Sequence, residues 1–230
     1  MMSGVTDAQS RFGQGPLGRV AALIYTLLAV ELLLLLTAAP GLVPLVLLDR
    51  DASNVPLIAA CALPLGPALS AALYALHHRR LDLTDLHPAA AFWRGYRLNA
   101  LGALKLWVPF LALLTLVAVN LTHLRAAGIP TWWAVLLGII AALTALWATN
   151  ALVITSLFAF RARDVARLAV YFLIRRGGVT LANLCILVVA VALTALTSEL
   201  IALMVGVFFV AALLQSCRPM IDQVRREFTE

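Results

Sequence analysis

The chain has 230 residues, of which 63% are apolar and only 12% are charged, and its formal net charge is +6. Soluble domains are about 45–50% apolar and about 25% charged, so this composition excludes an ordinary soluble globular protein. The apolar residues form long unbroken runs rather than short alternating segments. That pattern excludes a membrane β-barrel and predicts transmembrane helices, in which the backbone hydrogen bonds are internal.

Six apolar runs approach the roughly 20 residues that a bilayer-spanning helix needs. In chain order they cover about 18–39, 55–76, 100–121, 131–160, 178–196 and 200–216. We therefore predict an all-α, polytopic transmembrane bundle of six spans, formed by residues 1–230 as a single domain. The join between the last two spans is short, and one long bent helix is the alternative there. That alternative would move the basic C-terminal segment to the outer side.

The basic residues predict the orientation, because Lys and Arg in short loops favour the cytoplasmic side of a membrane. With the N-terminus inside, all of the 17 Lys and Arg residues except Arg50 and Arg125 fall on the inner side. We expect both termini in the cytoplasm of a bacterium and a multi-pass protein in its cytoplasmic membrane. The positive charge then faces anionic lipid head groups of the bilayer rather than nucleic acid.

Two basic segments between the spans, 85–99 and 161–176, predict amphipathic helices that lie at the inner interface. In the first, the aromatic residues share one helical face and the arginines share another. The residues expected to contact lipid or a partner protein are Phe92, Trp93, Arg94, Tyr96 and Arg97 in the first segment, and Arg175 and Arg176 in the second.

Glu31 lies well inside the first apolar run, and the five residues that follow it are all leucine. An ionisable group at that depth is costly, so it marks a functional site by default. Two interpretations stay open. The carboxyl group binds a proton, a cation or a substrate, or it makes a hydrogen bond to a neighbouring helix.

Pro64, Gly66 and Pro67 predict a break in the second span, because proline lacks the backbone N–H and glycine loosens the helix. Broken helices can present backbone groups to a ligand, but neighbouring helices can also satisfy those groups at a plain kink. Asn150 is a further candidate contact for a substrate or ion. Polar residues of this kind in apolar runs also join helices to one another.

Motifs that would indicate an enzyme are missing from the sequence: it has no P-loop, GxSxG, HExxH or dinucleotide fingerprint. The three cysteines have no metal-ligand spacing. Asp82, Asp85 and His87 could serve a lipid-modifying enzyme, but their position before Pro88 fits the start of a helix better. We therefore predict a protein that is not an enzyme and that has no cofactor and no metal site.

Three segments, 64–74, 91–99 and 163–184, resemble the YesL-like family of bacterial integral membrane proteins, a domain of unknown function. The chain departs from the family in being richer in Ala and Leu and in a longer outer loop at 49–51. The resemblance implies a six-helix bundle and an association with carbohydrate uptake, and it carries over no catalytic residue.

Two functions follow as predictions. The first is a non-enzymatic accessory or permease-like component of a sugar ABC transport system. The alternative is an independent small-solute secondary transporter or channel that uses Glu31 and the broken second helix.

Overall fold

The computed structural model of the chain describes residues 16–49, 51–79, 87–124, 128, 130–197 and 199–228. Within these ranges every regular element is a helix, so the all-α prediction is confirmed. Four residues named in the predictions above lie outside the described ranges: Arg50, Asp82, Asp85 and Arg125.

The α-helices of the described residues are numbered here in chain order. They are α1 Pro16–Leu47, α2 Val55–Cys61, α3 Leu65–His77, α4 Pro88–His123, α5 Trp132–Leu157, α6 Ala162–Arg175, α7 Gly177–Leu196, α8 Glu199–Met204, α9 Gly206–Ser216 and α10 Arg218–Phe228. A short 3-10 helix, Ala52–Asn54, precedes α2.

Five helical stretches are long and apolar enough to cross a bilayer. They are Leu17–Leu45, Val55–His77, Pro88–His123, Trp132–Leu157 and Gly177–Leu196. They match the first five predicted spans and make the chain a multi-pass membrane protein. The sixth predicted run, 200–216, is instead divided between the 6-residue α8 and the 11-residue α9.

The helix α3 lies at the centre of the bundle, where it packs against α1, α4, α5 and α9. Its inward positions are mostly small residues, which allow neighbouring helices to approach closely. Gly66 of α3 lies directly against the Trp107 ring of α4, and Gly95 of α4 lies directly against Tyr74 of α3. These two reciprocal contacts hold α3 and α4 together in an antiparallel pair.

The segment expected to form a separate interfacial helix is instead the beginning of α4. This helix is continuous over 36 residues, which corresponds to about 54 Å at the helical rise of about 1.5 Å per residue. A hydrocarbon core is about 30 Å thick, so α4 projects well beyond it. Continuity is supported at Asn99, whose side-chain amide donates a 3.0 Å hydrogen bond to the Ser156 carbonyl of α5.

The second predicted amphipathic helix is confirmed as α6. Val165, Ala169 and Phe172 recur at helical spacing and are buried in the main core, while the arginines of α6 are exposed. A third amphipathic helix, α10, was not predicted. It buries Met220, Ile221 and Val224 in the same core.

Most of the described basic residues gather where α3 and α6 end, where α4 begins and along α10. Thr26, Tyr74 and Pro88 line one cavity there, so α1, α3 and α4 are neighbours at this end of the bundle. We call this part of the bundle the basic end. It is defined by Arg79, Arg94, Arg97, Arg175, Arg176, Arg218 and Arg225.

The close contact at Gly66 gives a stability prediction. A methyl group added at Gly66 would lie 2.5 Å from Cγ of Trp107, so Gly66→Ala should lower the free energy of unfolding by about 1–3 kcal/mol. Gly138→Ala in α5 is the matched control, because a methyl group there meets no atom within 4 Å. Thermal unfolding in mild detergent, followed by tryptophan fluorescence, measures both. Equal melting temperatures for the two variants would contradict the α3–α4 packing.

Candidate functional site

Glu31 lies in the middle of α1 and is only 8% exposed. Its carboxylate oxygen Oε2 accepts a 2.6 Å hydrogen bond from the backbone N–H of Val207, 176 residues further along the chain. Val207 is the second residue of α9, and the first backbone N–H groups of a helix have no partner within it. Glu31 therefore caps α9 from a different helix.

This contact explains why the sixth apolar run is divided. Val205, the residue before α9, offers no side-chain cap. The carboxylate of Glu31 supplies the missing acceptor, and a negative group is also favourable at the positive end of a helix dipole. A new helix can therefore begin at Gly206 inside an apolar environment.

The second oxygen of Glu31, Oε1, is buried and accepts no hydrogen bond from the described residues. The space beside it is bounded by Gly206, where an added methyl group would come within 3.7 Å of Oε1. One oxygen thus makes a hydrogen bond to a neighbouring helix, as the second interpretation of Glu31 predicts. The other retains lone pairs that a proton or a cation could use.

The predicted break in the second span is confirmed, since α2 ends at Cys61 and α3 begins at Leu65. The indole N–H of Trp107 donates a 2.9 Å hydrogen bond to the Ala62 carbonyl in this turn. The Pro64 carbonyl accepts the N–H of Ala68 at 3.2 Å. Because protein groups occupy these carbonyls, the geometry favours a plain kink at Pro64, Gly66 and Pro67.

Glu31 and the break do not form one site. Gly41 of α1 packs against Cys61 and Pro64 at the break. It lies ten residues beyond Glu31, or about 15 Å along the helix. The alternative function predicted from the sequence combines two features that the structure separates.

Asn150 belongs to a buried polar cluster that joins three helices. Its side-chain oxygen accepts a 3.2 Å bond from the Asn183 amide of α7. The Asn183 oxygen in turn accepts a 2.6 Å bond from the Ser216 hydroxyl of α9. Both asparagines are at most 1% exposed, so this cluster connects α5, α7 and α9 rather than lining an open path.

The aromatic face predicted at 85–99 turns partly inward. Phe92 is completely buried and Tyr96 is half-buried against the core, whereas Trp93 is 41% exposed. Phe92 follows the inward helical spacing of Pro88 and Gly95, and it therefore packs inside the bundle instead of forming a contact surface. Trp93, Arg94 and Arg97 remain exposed.

Arg175 and Arg176 differ in their surroundings. The Arg176 Nε donates a 2.8 Å hydrogen bond to the Gln223 side chain of α10. Arg175 is exposed and lies over the Tyr171 ring, with its guanidinium carbon 5.9 Å from the ring centroid. Arg176 thus helps to hold α10 against the bundle, while Arg175 contributes to the surface.

A comparison of the chain with protein-family models, characterised proteins and solved structures finds no match. The YesL-like resemblance and the link to carbohydrate uptake therefore stay predictions.

The cap at α9 gives a second stability prediction. Glu31→Gln retains a carbonyl oxygen that can accept the Val207 N–H, whereas Glu31→Met fills a similar volume without an acceptor. We expect Glu31→Met to cost about 1–3 kcal/mol more than Glu31→Gln, because it leaves a buried N–H unsatisfied. Thermal unfolding in detergent compares the two variants. A Met variant as stable as the Gln variant would show that the 2.6 Å bond is not needed for folding.

Proposed function

We propose that this chain is a non-enzymatic, multi-pass protein of a bacterial cytoplasmic membrane. In this proposal it serves as an accessory component of a transport assembly, namely a sugar ABC uptake system. Its basic end faces the cytoplasm and binds a partner subunit. The observation that carries the proposal is the exposed surface built on the projecting N-terminal part of α4.

This surface has the composition of a protein interface. Trp93, Arg94 and Arg97 are exposed on a helix that the Gly95–Tyr74 contact and the buried Phe92 hold rigidly in place. Tryptophan and arginine are enriched among the residues that dominate binding energy. Since the supporting helix is already ordered, binding incurs little loss of backbone entropy.

The proposed topology has six crossings with both termini inside. Helix α7 ends far from the basic end, at Leu196, while α10 lies at the basic end, where Arg176 contacts Gln223. Together α8 and α9 return the chain between these points, and we propose that they form a sixth, interrupted crossing. The positive-inside rule supports a cytoplasmic location for the basic end.

The link to sugar uptake rests on the resemblance of segments 64–74, 91–99 and 163–184 to the YesL-like family. Two of these segments supply the α3–α4 contact and the exposed residues of α4. A fold can host several functions, so the resemblance names the system to test first.

Co-purification tests the accessory function. The tagged protein is isolated from its native membranes in mild detergent, and co-eluting proteins are quantified by mass spectrometry. We expect ABC subunits in stoichiometric amounts with the wild type, and at least tenfold less with the double variant Trp93→Ala, Arg97→Gln. A tenfold loss of binding corresponds to about 1.4 kcal/mol of binding free energy. Removing two contacts at the centre of an interface is enough to cause it.

The matched control for this experiment is Trp132→Ala. Trp132 is 59% exposed at the start of α5, the end of that helix away from the basic end. The control should retain the partner fully. A wild-type protein that elutes alone, or equal retention by both variants, would contradict the accessory function.

The independent transporter is the second candidate function, and Glu31 favours it. A buried carboxylate with one unpaired oxygen beside an interrupted helix is an arrangement that transporters use for coupling ions. This transporter hypothesis does not require the broken second helix, because the break packs against α1 about 15 Å away from Glu31.

Reconstitution tests this second candidate. Proteoliposomes containing the purified protein alone are assayed for radiolabelled sugar uptake with and without a proton gradient. If the chain transports by itself, Glu31→Gln should reduce gradient-driven uptake to background, because the amide cannot take up a proton. The variant should remain folded, as its melting temperature will report. Transport that survives Glu31→Gln unaltered would leave Glu31 with its capping role alone.

A further inference from the structure

Arg79 lines two cavities at the basic end. We propose that these two cavities form one binding site for a polyanionic lipid, with a phosphate of its headgroup in each. This inference goes beyond the proposed docking function. It shares Arg94 with the docking surface but requires neither Trp93 nor Arg97, so the two proposals can fail separately.

The first cavity has a volume of about 540 Å³ and lies between the end of α3 and the beginning of α4. Its lining includes His78, Arg79, His87 and Arg94, and no carboxylate among the described residues. Tyr74 stacks on the His78 ring at 4.1 Å, and Nδ1 of His78 lies 3.0 Å from the Tyr74 carbonyl. Since a carbonyl only accepts, Nδ1 carries the proton, and the ring is held in a fixed orientation.

The second cavity, of about 400 Å³, lies on the other side of Arg79, between α3 and α10. Arg218 and Arg225 line it together with His77, and Asp222 is the one carboxylate among its described lining residues. Among the described lining residues, positive charge therefore exceeds negative charge in both cavities. Guanidinium groups suit phosphate because their planar N–H donors can bind two oxygens at once.

The location favours a lipid over a soluble anion. Arg94 of α4 lines the first cavity, and Leu98 and Leu101, which follow it at helical spacing on the same face of α4, are 66% and 74% exposed. An apolar helix surface thus lies beside the basic cavity, where acyl chains could rest while a phosphate occupies the cavity. Basic pockets between transmembrane helices on the cytoplasmic side are typical sites for cardiolipin and similar head groups.

Two adjoining cavities that share one arginine match a headgroup with two phosphates. A lipid with a single phosphate can occupy one cavity only. We therefore expect cardiolipin to bind more tightly than phosphatidylglycerol, and the zwitterionic phosphatidylcholine to bind least.

Native mass spectrometry of the full-length protein, delipidated in a neutral detergent, tests this order. Tetraoleoyl cardiolipin, phosphatidylglycerol, phosphatidylcholine and inorganic phosphate are titrated separately. Arg79→Gln and Arg94→Gln should each weaken cardiolipin binding about fivefold. Arg79→Lys should recover only part of the affinity, since it restores the charge but not the paired N–H donors. Arg167→Gln is the matched control, because Arg167 is an exposed arginine of α6 that lines neither cavity.

The expected order of lipids, with loss in both Gln variants and none in the control, supports the site. Equal weakening by Arg79→Gln and Arg167→Gln would overturn it, because attraction would then depend on overall charge. Equal affinity for cardiolipin and phosphatidylglycerol would overturn the two-phosphate assignment. Binding of inorganic phosphate alone as tightly as cardiolipin would overturn the lipid assignment in favour of a soluble phosphate. Melting temperatures confirm that each variant is folded.

Discussion

Inside a bilayer, each backbone N–H and C=O group must find its hydrogen-bond partner within the protein. This constraint governs two interruptions of the apolar helices that the structure describes. At the break between α2 and α3, Trp107 donates to the Ala62 carbonyl. At the start of α9, Glu31 accepts the N–H of Val207. Each interruption is thus satisfied by a side chain from a different helix, which also joins that helix to the break.

The same requirement shapes the centre of the bundle. Small residues on α3 allow α4 to pack so closely that Gly66 and Gly95 meet aromatic rings. The contacts leave α4 continuous, and a helix of this length projects beyond the apolar layer. The surface at the basic end is therefore a consequence of helix packing. The buried Phe92 anchors the beginning of α4, and this holds Trp93 and Arg97 in exposed positions.

Most of the transmembrane helices could be predicted from the sequence, because length and hydrophobicity are properties of one segment at a time. The break before Pro64 was equally predictable, since proline cannot donate to the helix. The division at Gly206 was not, because its cause is Glu31, a residue 175 positions earlier in the chain. Glu31 could be singled out by its depth, but its partner is set by tertiary packing alone.

Three other features were missed for related reasons. The segment 85–99 has the composition of an interfacial helix, and nothing in it indicates that it continues into the next span without a turn. We predicted Phe92 at the surface together with its aromatic neighbours. It is buried because it lies on the side of α4 that faces the core. The helix α10 follows the last apolar run directly, and its short apolar stripe is recognisable only when a core is present to cover it.

The polar groups of the bundle occupy separate regions, and each region corresponds to a different kind of function. Glu31 joins α1 to α9 and retains one unpaired oxygen in the apolar interior. The Asn183 amide donates to Asn150, and the Asn183 oxygen accepts from Ser216, so these groups join helices to one another. The arginines lie at the basic end, where anionic groups and partner proteins are accessible. Glu31 is linked to that end through α9, the helix that it caps, because Leu214 of α9 lines the second cavity.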